Sequence, residues 1–187
     1  MEKIPFSLRV YLLFTFLGFL LYAHAFQGSF YYDDIPNIIE NPNTLKPFNV
    51  IQEFWKQGII KHRWVAFFSF SLNYQWSGFQ TWSYRLVNLM IHILNACLVW
   101  QIMRRLFSYS KEPGDPKWFA LMIALIFLVH PIQTQGVTYV VQRMESLASF
   151  FYLGGFLCFI LSFETSQRTQ WGYRLFCCLC FILGIWT

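Results

Sequence analysis

Charge is scarce in this sequence, and negative charge is scarcest. Nine Asp and Glu stand against fourteen Lys and Arg, and charged residues make up 12% of the chain, roughly half the share of about 25% in an average soluble protein. Together with 56% hydrophobic residues, that poverty excludes an ordinary soluble domain and points to a membrane protein. The basic excess forms no stripe. It flanks apolar runs, which argues for membrane topology and against a nucleic-acid partner. The five cysteines, Cys97, Cys158, Cys177, Cys178 and Cys180, all lie inside apolar runs, where a thiol acts as a small hydrophobe. No His or acid stands near Cys177-Cys178-x-Cys180, and adjacent cysteines on a helix point apart, so a metal site there is not supported.

Long apolar runs are what the chain has instead. A spanning helix needs about 20 mostly apolar residues, and the runs predict about five transmembrane helices, near 10–26, 86–107, 118–130, 147–163 and 175–187. The expected fold class is an all-α integral membrane protein forming one partial transmembrane domain, 1–187. The fifth run meets the end of the chain without a polar flank, as expected of a truncated or partial product. Lys3 and Arg9, then Arg104, Arg105, Lys111 and Lys117, then Arg168 and Arg174 flank three connections, which the positive-inside rule assigns to the cytoplasm. The segment 27–83 is then extracytoplasmic, as is 130–146. Ala23-His24-Ala25 after the first run also fits a signal-peptide cleavage site, an alternative that leaves the downstream topology unchanged.

The third run is short for a span and is open to a re-entrant reading. We expect a crossing with an irregular outer end, because Pro131 disfavours helix at His130. Polar backbone at that depth is tolerated beside protein or a water-filled cavity, so Gln133, Thr134 and Gln135 are candidate cavity wall. In the second run, Arg85, Asn88, His92 and Asn95 fall within about 80° of one helical face. This polar stripe serves either interhelical hydrogen bonding or a ligand, with Arg85 the member nearest the surface. The long loop carries "NVIQEFWKQGII", where Val50, Phe54, Trp55 and Ile59 suggest a short interfacial helix, and Trp55, Trp64, Trp76 and Trp82 fit an aromatic belt.

Two of the scarce acids are adjacent, in "FYYDDIPNIIENP" (30–42). Asp33 and Asp34 are either a turn or helix cap ahead of Pro36 or a general base with a partner acid. Arg143 and Glu145 open the fourth run, where an Arg snorkels to headgroups or clamps a phosphate. Under this topology Asp33, Asp34, His62, Arg63, Arg85, His130, Arg143 and Glu145 reach one face, a set suited to a lipid-phosphate substrate.

The stretches "YYDDIPNIIENP", "SYRLVNLMIHILNACLV" and "HPIQTQGVTYVVQRMESLASFFYL" together resemble the amino-terminal part of GT-C superfamily glycosyltransferases, closest to transmembrane O-mannosyltransferase-like proteins with tetratricopeptide repeats. The resemblance implies a larger GT-C-type bundle and a sugar, plausibly mannose, carried on a polyprenyl phosphate. It implies inverting transfer to a protein or glycan hydroxyl on the extracytoplasmic face. It also implies that Asp33 is the base, that Asp34 positions the acceptor, and that Arg143 holds the donor phosphate with Glu145 orienting its neighbours. Arg85 and His130 are further candidate substrate-binding residues. Relatives often have Arg-Pro-Leu where this chain has Arg63-Trp64-Val65, Glu at Gln135 and His at Arg85, which weakens a catalytic use of Arg63 and Gln135. No metal ligand set closes around Asp33, Asp34 and Glu145, so none is assigned. The expected setting is a bilayer, the bacterial inner membrane rather than the endoplasmic reticulum. The alternative to catalysis is a transporter, flippase-like or structural subunit that handles lipid-linked substrates.

Overall fold

A computed structural model of the chain describes residues 5–46, 52, 63–110 and 114–187. His62 and, apart from residue 52, the proposed interfacial helix of 49–60 lie outside the described residues. Among the described residues eight α-helices carry the fold: α1 (Phe6–Tyr22), α2 (Pro42–Leu45), α3 (Trp64–Ser77), α4 (Thr81–Tyr109), α5 (Pro116–Val129), α6 (Thr134–Thr138), α7 (Arg143–Glu164) and α8 (Gln167–Ile185). No strand occurs among the described residues.

Helix α4 is the axis of the bundle, with α1, α5 and α7 packed around it. One core cluster fills the space between α1, α4 and α5, built on Phe14, Leu89, Trp100, Ala124 and Leu128. Close approach is possible where side chains are small: a Cβ on Gly18 of α1 would lie 2.9 Å from the Ile93 side chain of α4. A second hairpin joins α7 to α8. There Gly155 faces Cys177 and Cys180, both buried, while Cys178 is exposed on the opposite side. Small residues of this kind let membrane helices approach closely, which is the packing role expected of these thiols.

Three helical stretches, Phe6–Gln27, Thr81–Tyr109 and Val140–Glu164, are long and apolar enough to cross a membrane. A fourth crossing is available if Pro116–Val129 and Pro131–Thr138 count as one span bent by 50°. The bend sits at His130, whose backbone is extended (ψ 129°) ahead of Pro131, as the proline rule requires. Of the about five spans expected, three or four meet this test of length and apolarity among the described residues. The fifth candidate, α8, spends its first two turns on Gln167, Arg168, Gln170 and Arg174.

Charge gathers at the two ends of the bundle. Arg85 and Arg105, near opposite ends of α4, are separated by roughly 30 Å at about 1.5 Å per residue. Beside Arg105, Arg104, Asp115, Lys117 and Glu164 line one concavity, where Arg105 pairs with Glu164 at 3.3 Å. Near Arg85, a second core cluster joins Ile38 of the first loop, Ala66 and Phe70 of α3, Tyr84 of α4, and Val140, Val141 and Met144. Helix α3 lies within the segment expected to be loop, and by its packing into this cluster it forms the floor of the site.

Candidate functional site

The acidic pair divides its roles by burial. Asp34 is fully buried: its Oδ1 accepts the Val141 N–H at 2.8 Å and its Oδ2 accepts the Tyr31 N–H at 3.3 Å. Burial pushes its carboxyl above the ordinary Asp value, a rise opposed by these hydrogen bonds and by the nearby Arg85 charge. Asp33 is exposed. Its backbone N–H donates to the Tyr139 hydroxyl at 2.9 Å, and the Tyr139 ring stacks on Tyr31 with centroids 4.9 Å apart and planes 11° apart. Between the acids and Tyr31, Tyr32 holds a positive φ of 48°, uncommon for a bulky side chain. The turn thus locks Asp34 inward and leaves Asp33 outward.

A concavity of about 380 Å³ opens beside Asp33, lined also by Asn37, Arg63, Phe67, Gln142 and Glu145. Arg63 and Glu145 form an exposed ion pair across it at 3.3 Å. Asp33, Arg63 and Glu145 are therefore brought together, whatever the path of the short third span, because residues 31–34 bond directly to Tyr139 and Val141.

Arg143 is placed differently from the donor-phosphate ligand that the resemblance implies. It is fully buried, and every N–H of its guanidinium, five in all, has a partner. Nε donates to Asn88 Oδ1 at 2.8 Å, one terminal nitrogen to the Ser69 carbonyl at 3.2 Å and hydroxyl at 3.4 Å, and the other to Asn73 Oδ1 at 2.8 Å and the Tyr84 carbonyl at 2.9 Å. Phe70 covers its face with the ring centroid 4.7 Å away. All five donors are thus engaged by protein acceptors. Arg143 instead ties α3, α4 and α7 together.

Arg85 is likewise turned to the protein. It is buried, and it donates to the carbonyls of Thr138 (2.9 Å), Ser29 (2.7 Å) and Gly28. A Cβ on Gly28 would sit 2.6 Å from the guanidinium, so glycine is the residue that admits this arginine. His130 is exposed but does not line the Asp33 concavity; its Nδ1 accepts the Ile132 N–H at 3.2 Å, capping the turn after the bend. The rest of the polar stripe also bonds to neighbouring segments. Asn88 donates to the Tyr139 and Val140 carbonyls at 3.3 Å, His92 Nε2 meets the Leu128 carbonyl at 3.0 Å, and Asn95 donates to the Ser146 carbonyl at 2.9 Å. Among the described residues, no group of three or more His, Cys, Asp or Glu is arranged to hold a metal ion.

Asn73 and Tyr139 are the functional side chains that sequence reasoning missed. Asn73 was legible as one of two carboxamides, with Gln75, in the aromatic run of α3. Nothing in the sequence announced that Tyr139 reaches Asp33, a contact made only by the fold.

A helical membrane protein with an acid, an Arg–Glu pair and a concavity at one end of its bundle is the class these features define. The chain is 34% identical over 177 residues to protein O-mannosyl-transferase TMTC2 of Mus musculus, a match that takes in 88% of this chain and 20% of that protein. It is 30% identical to protein O-mannosyl-transferase Tmtc3 of Drosophila melanogaster, over 80% of this chain and 19% of that protein. Against protein O-mannosyl-transferase TMTC1 of Homo sapiens it is 28% identical, over 78% and 17% respectively. The chain is thus homologous to a part of the TMTC-type protein O-mannosyl-transferases, spanning about a fifth of the length of the relatives it matches. No family model and no solved structure matches it. The relatives named here are animal proteins and lend the bacterial inner membrane no support.

Proposed function

We propose that this chain forms part of a membrane glycosyltransferase of GT-C type that moves a mannosyl group from a polyprenyl-phosphate donor to a protein hydroxyl, with inversion. The observation that carries the proposal is Asp33, an exposed carboxylate facing a concavity shared with Arg63 and Glu145, in a chain related to proteins named protein O-mannosyl-transferases. In the proposed reaction Asp33 removes the acceptor hydroxyl proton as the hydroxyl oxygen bonds to the anomeric carbon. The bond from that carbon to the phosphate oxygen breaks, and its electron pair leaves with the polyprenyl phosphate. A base within hydrogen-bond reach and a cation for the leaving phosphate supply positioning and charge stabilisation. With Arg143 and Arg85 buried, Arg63, which is exposed, takes the cationic role, released from Glu145 when the phosphate arrives. Asp34 holds the turn that aims Asp33.

The basic end of the bundle, with Arg104, Arg105 and Lys117, is assigned to the cytoplasm by the positive-inside rule. The amino terminus lies there as well, and the Asp33 end is extracytoplasmic. The test is Asp33→Asn in the full-length protein: transfer of radiolabelled mannose from polyprenyl-phosphate mannose is expected to fall by about 10²-fold or more with membrane insertion intact. Near-normal transfer by that variant would remove Asp33 from the mechanism.

A further inference from the structure

A second concavity, of about 250 Å³, adjoins the first and shares Gln142 and Glu145 with it. Its polar lining is made of carboxamides and hydroxyls: Asn95, Gln133, Gln135, Gln142, Ser146 and Ser149, with Phe127 and Ile132 as apolar wall. No Lys or Arg lines it, and His92, which does, is engaged with the Leu128 carbonyl. Asn95 is buried; its Nδ2 donates to Ser146, but its Oδ1 is buried with no hydrogen-bond partner. Buried polar atoms are ordinarily paired, so this unpaired oxygen behind the wall of the concavity sets Asn95 apart from the other members of the stripe.

We infer that this second concavity is the subsite for a neutral sugar ring, an inference that rests on the glycosyltransferase reading above. Carboxamides and hydroxyls both donate and accept, which matches a ring of hydroxyl groups. The absence of a lining cation and the presence of the Glu145 carboxylate disfavour a phosphate there. Ring and phosphate are thereby sorted to the two sides of Glu145: the ring towards Asn95 and Gln135, the phosphate towards Arg63. The bent segment 131–138 is the wall that makes the selection, with Gln133 and Gln135 as specificity residues. The ring is either the sugar of the donor or a sugar already on the acceptor.

The experiment compares Gln133→Leu and Gln135→Leu with the parent full-length protein in steady-state transfer from polyprenyl-phosphate mannose to a Ser/Thr peptide, bare or mannosylated. Gln135 is exposed, so its replacement leaves the core untouched. A rise of about fivefold in the donor KM, with kcat within about twofold, is the magnitude of one lost hydrogen bond and assigns the site to the donor ring. The same rise confined to the mannosylated peptide's KM assigns it to an acceptor sugar. If both KM values stay within about twofold while Asp33→Asn is inactive, or if kcat alone falls, the subsite is overturned and the transferase reading stands. If Asp33→Asn transfers normally, it is the transferase reading that fails.

Discussion

At the scale of single residues, Arg143 and Asp34 spend their charge on architecture. Removing the Arg143 guanidinium strands Asn73 Oδ1 and Asn88 Oδ1, and each buried group left unpaired costs about 1–3 kcal/mol. Arg143→Met is therefore expected to lower stability by about 3 kcal/mol or more, read as a depressed Tm in detergent. A normal Tm with only a raised donor KM would restore the phosphate-ligand role. For Asp34 the sign follows from its raised carboxyl pKa. In the window between the ordinary Asp value and the raised folded value, the folded protein binds more protons than the unfolded chain, so stability falls as pH rises through it. Asp34→Asn abolishes that component. The Tm difference between wild type and Asp34→Asn should shift against wild type from pH 4 towards pH 7, and a difference independent of pH would show that Asp34 does not titrate there.

Among the elements, those with a strong apolar period were legible and those decided by neighbours were not. The helices α1, α4 and α7 follow directly from their runs, and the break at His130 follows from Pro131. Helix α3 was hidden because its aromatic side chains read equally well as an interfacial belt; Trp76 is indeed exposed, whereas Phe70 is fully buried in the floor of the site. The site was half legible. Asp33 and Glu145 stand out as scarce acids, but the sequence could not tell an arginine at a helix mouth that meets ligand from one that α3 encloses. Arg85 clamps the loop after α1 through the Gly28 and Ser29 carbonyls, so Gly28→Ala forces apart two groups already in contact. A loss of about 1–3 kcal/mol, the worth of one or two such bonds to a charged donor, is expected from thermal unfolding. An unchanged Tm would mean that the guanidinium has room to retreat.

For the molecule as a whole, two charged ends separated by an apolar middle define a membrane-crossing slab. Asn37 lines the Asp33 concavity and Ser108 lines the basic one. In sealed vesicles of a cysteine-depleted protein, Asn37→Cys and Ser108→Cys should react with a membrane-impermeant maleimide from opposite sides. Labelling of both from the same side would break the topology on which the proposed function depends. The bend at His130 carries one more consequence, for biogenesis. The carbonyls of Leu128 before the bend and of Thr138 at the end of the bent segment are met by His92 and Arg85 of α4, and hydrocarbon offers such groups nothing. A ribosome delivers α4 before α5, so the donors are in place when the broken segment emerges. Chain order thus spares the bent segment any stage in which it would have to enter lipid alone.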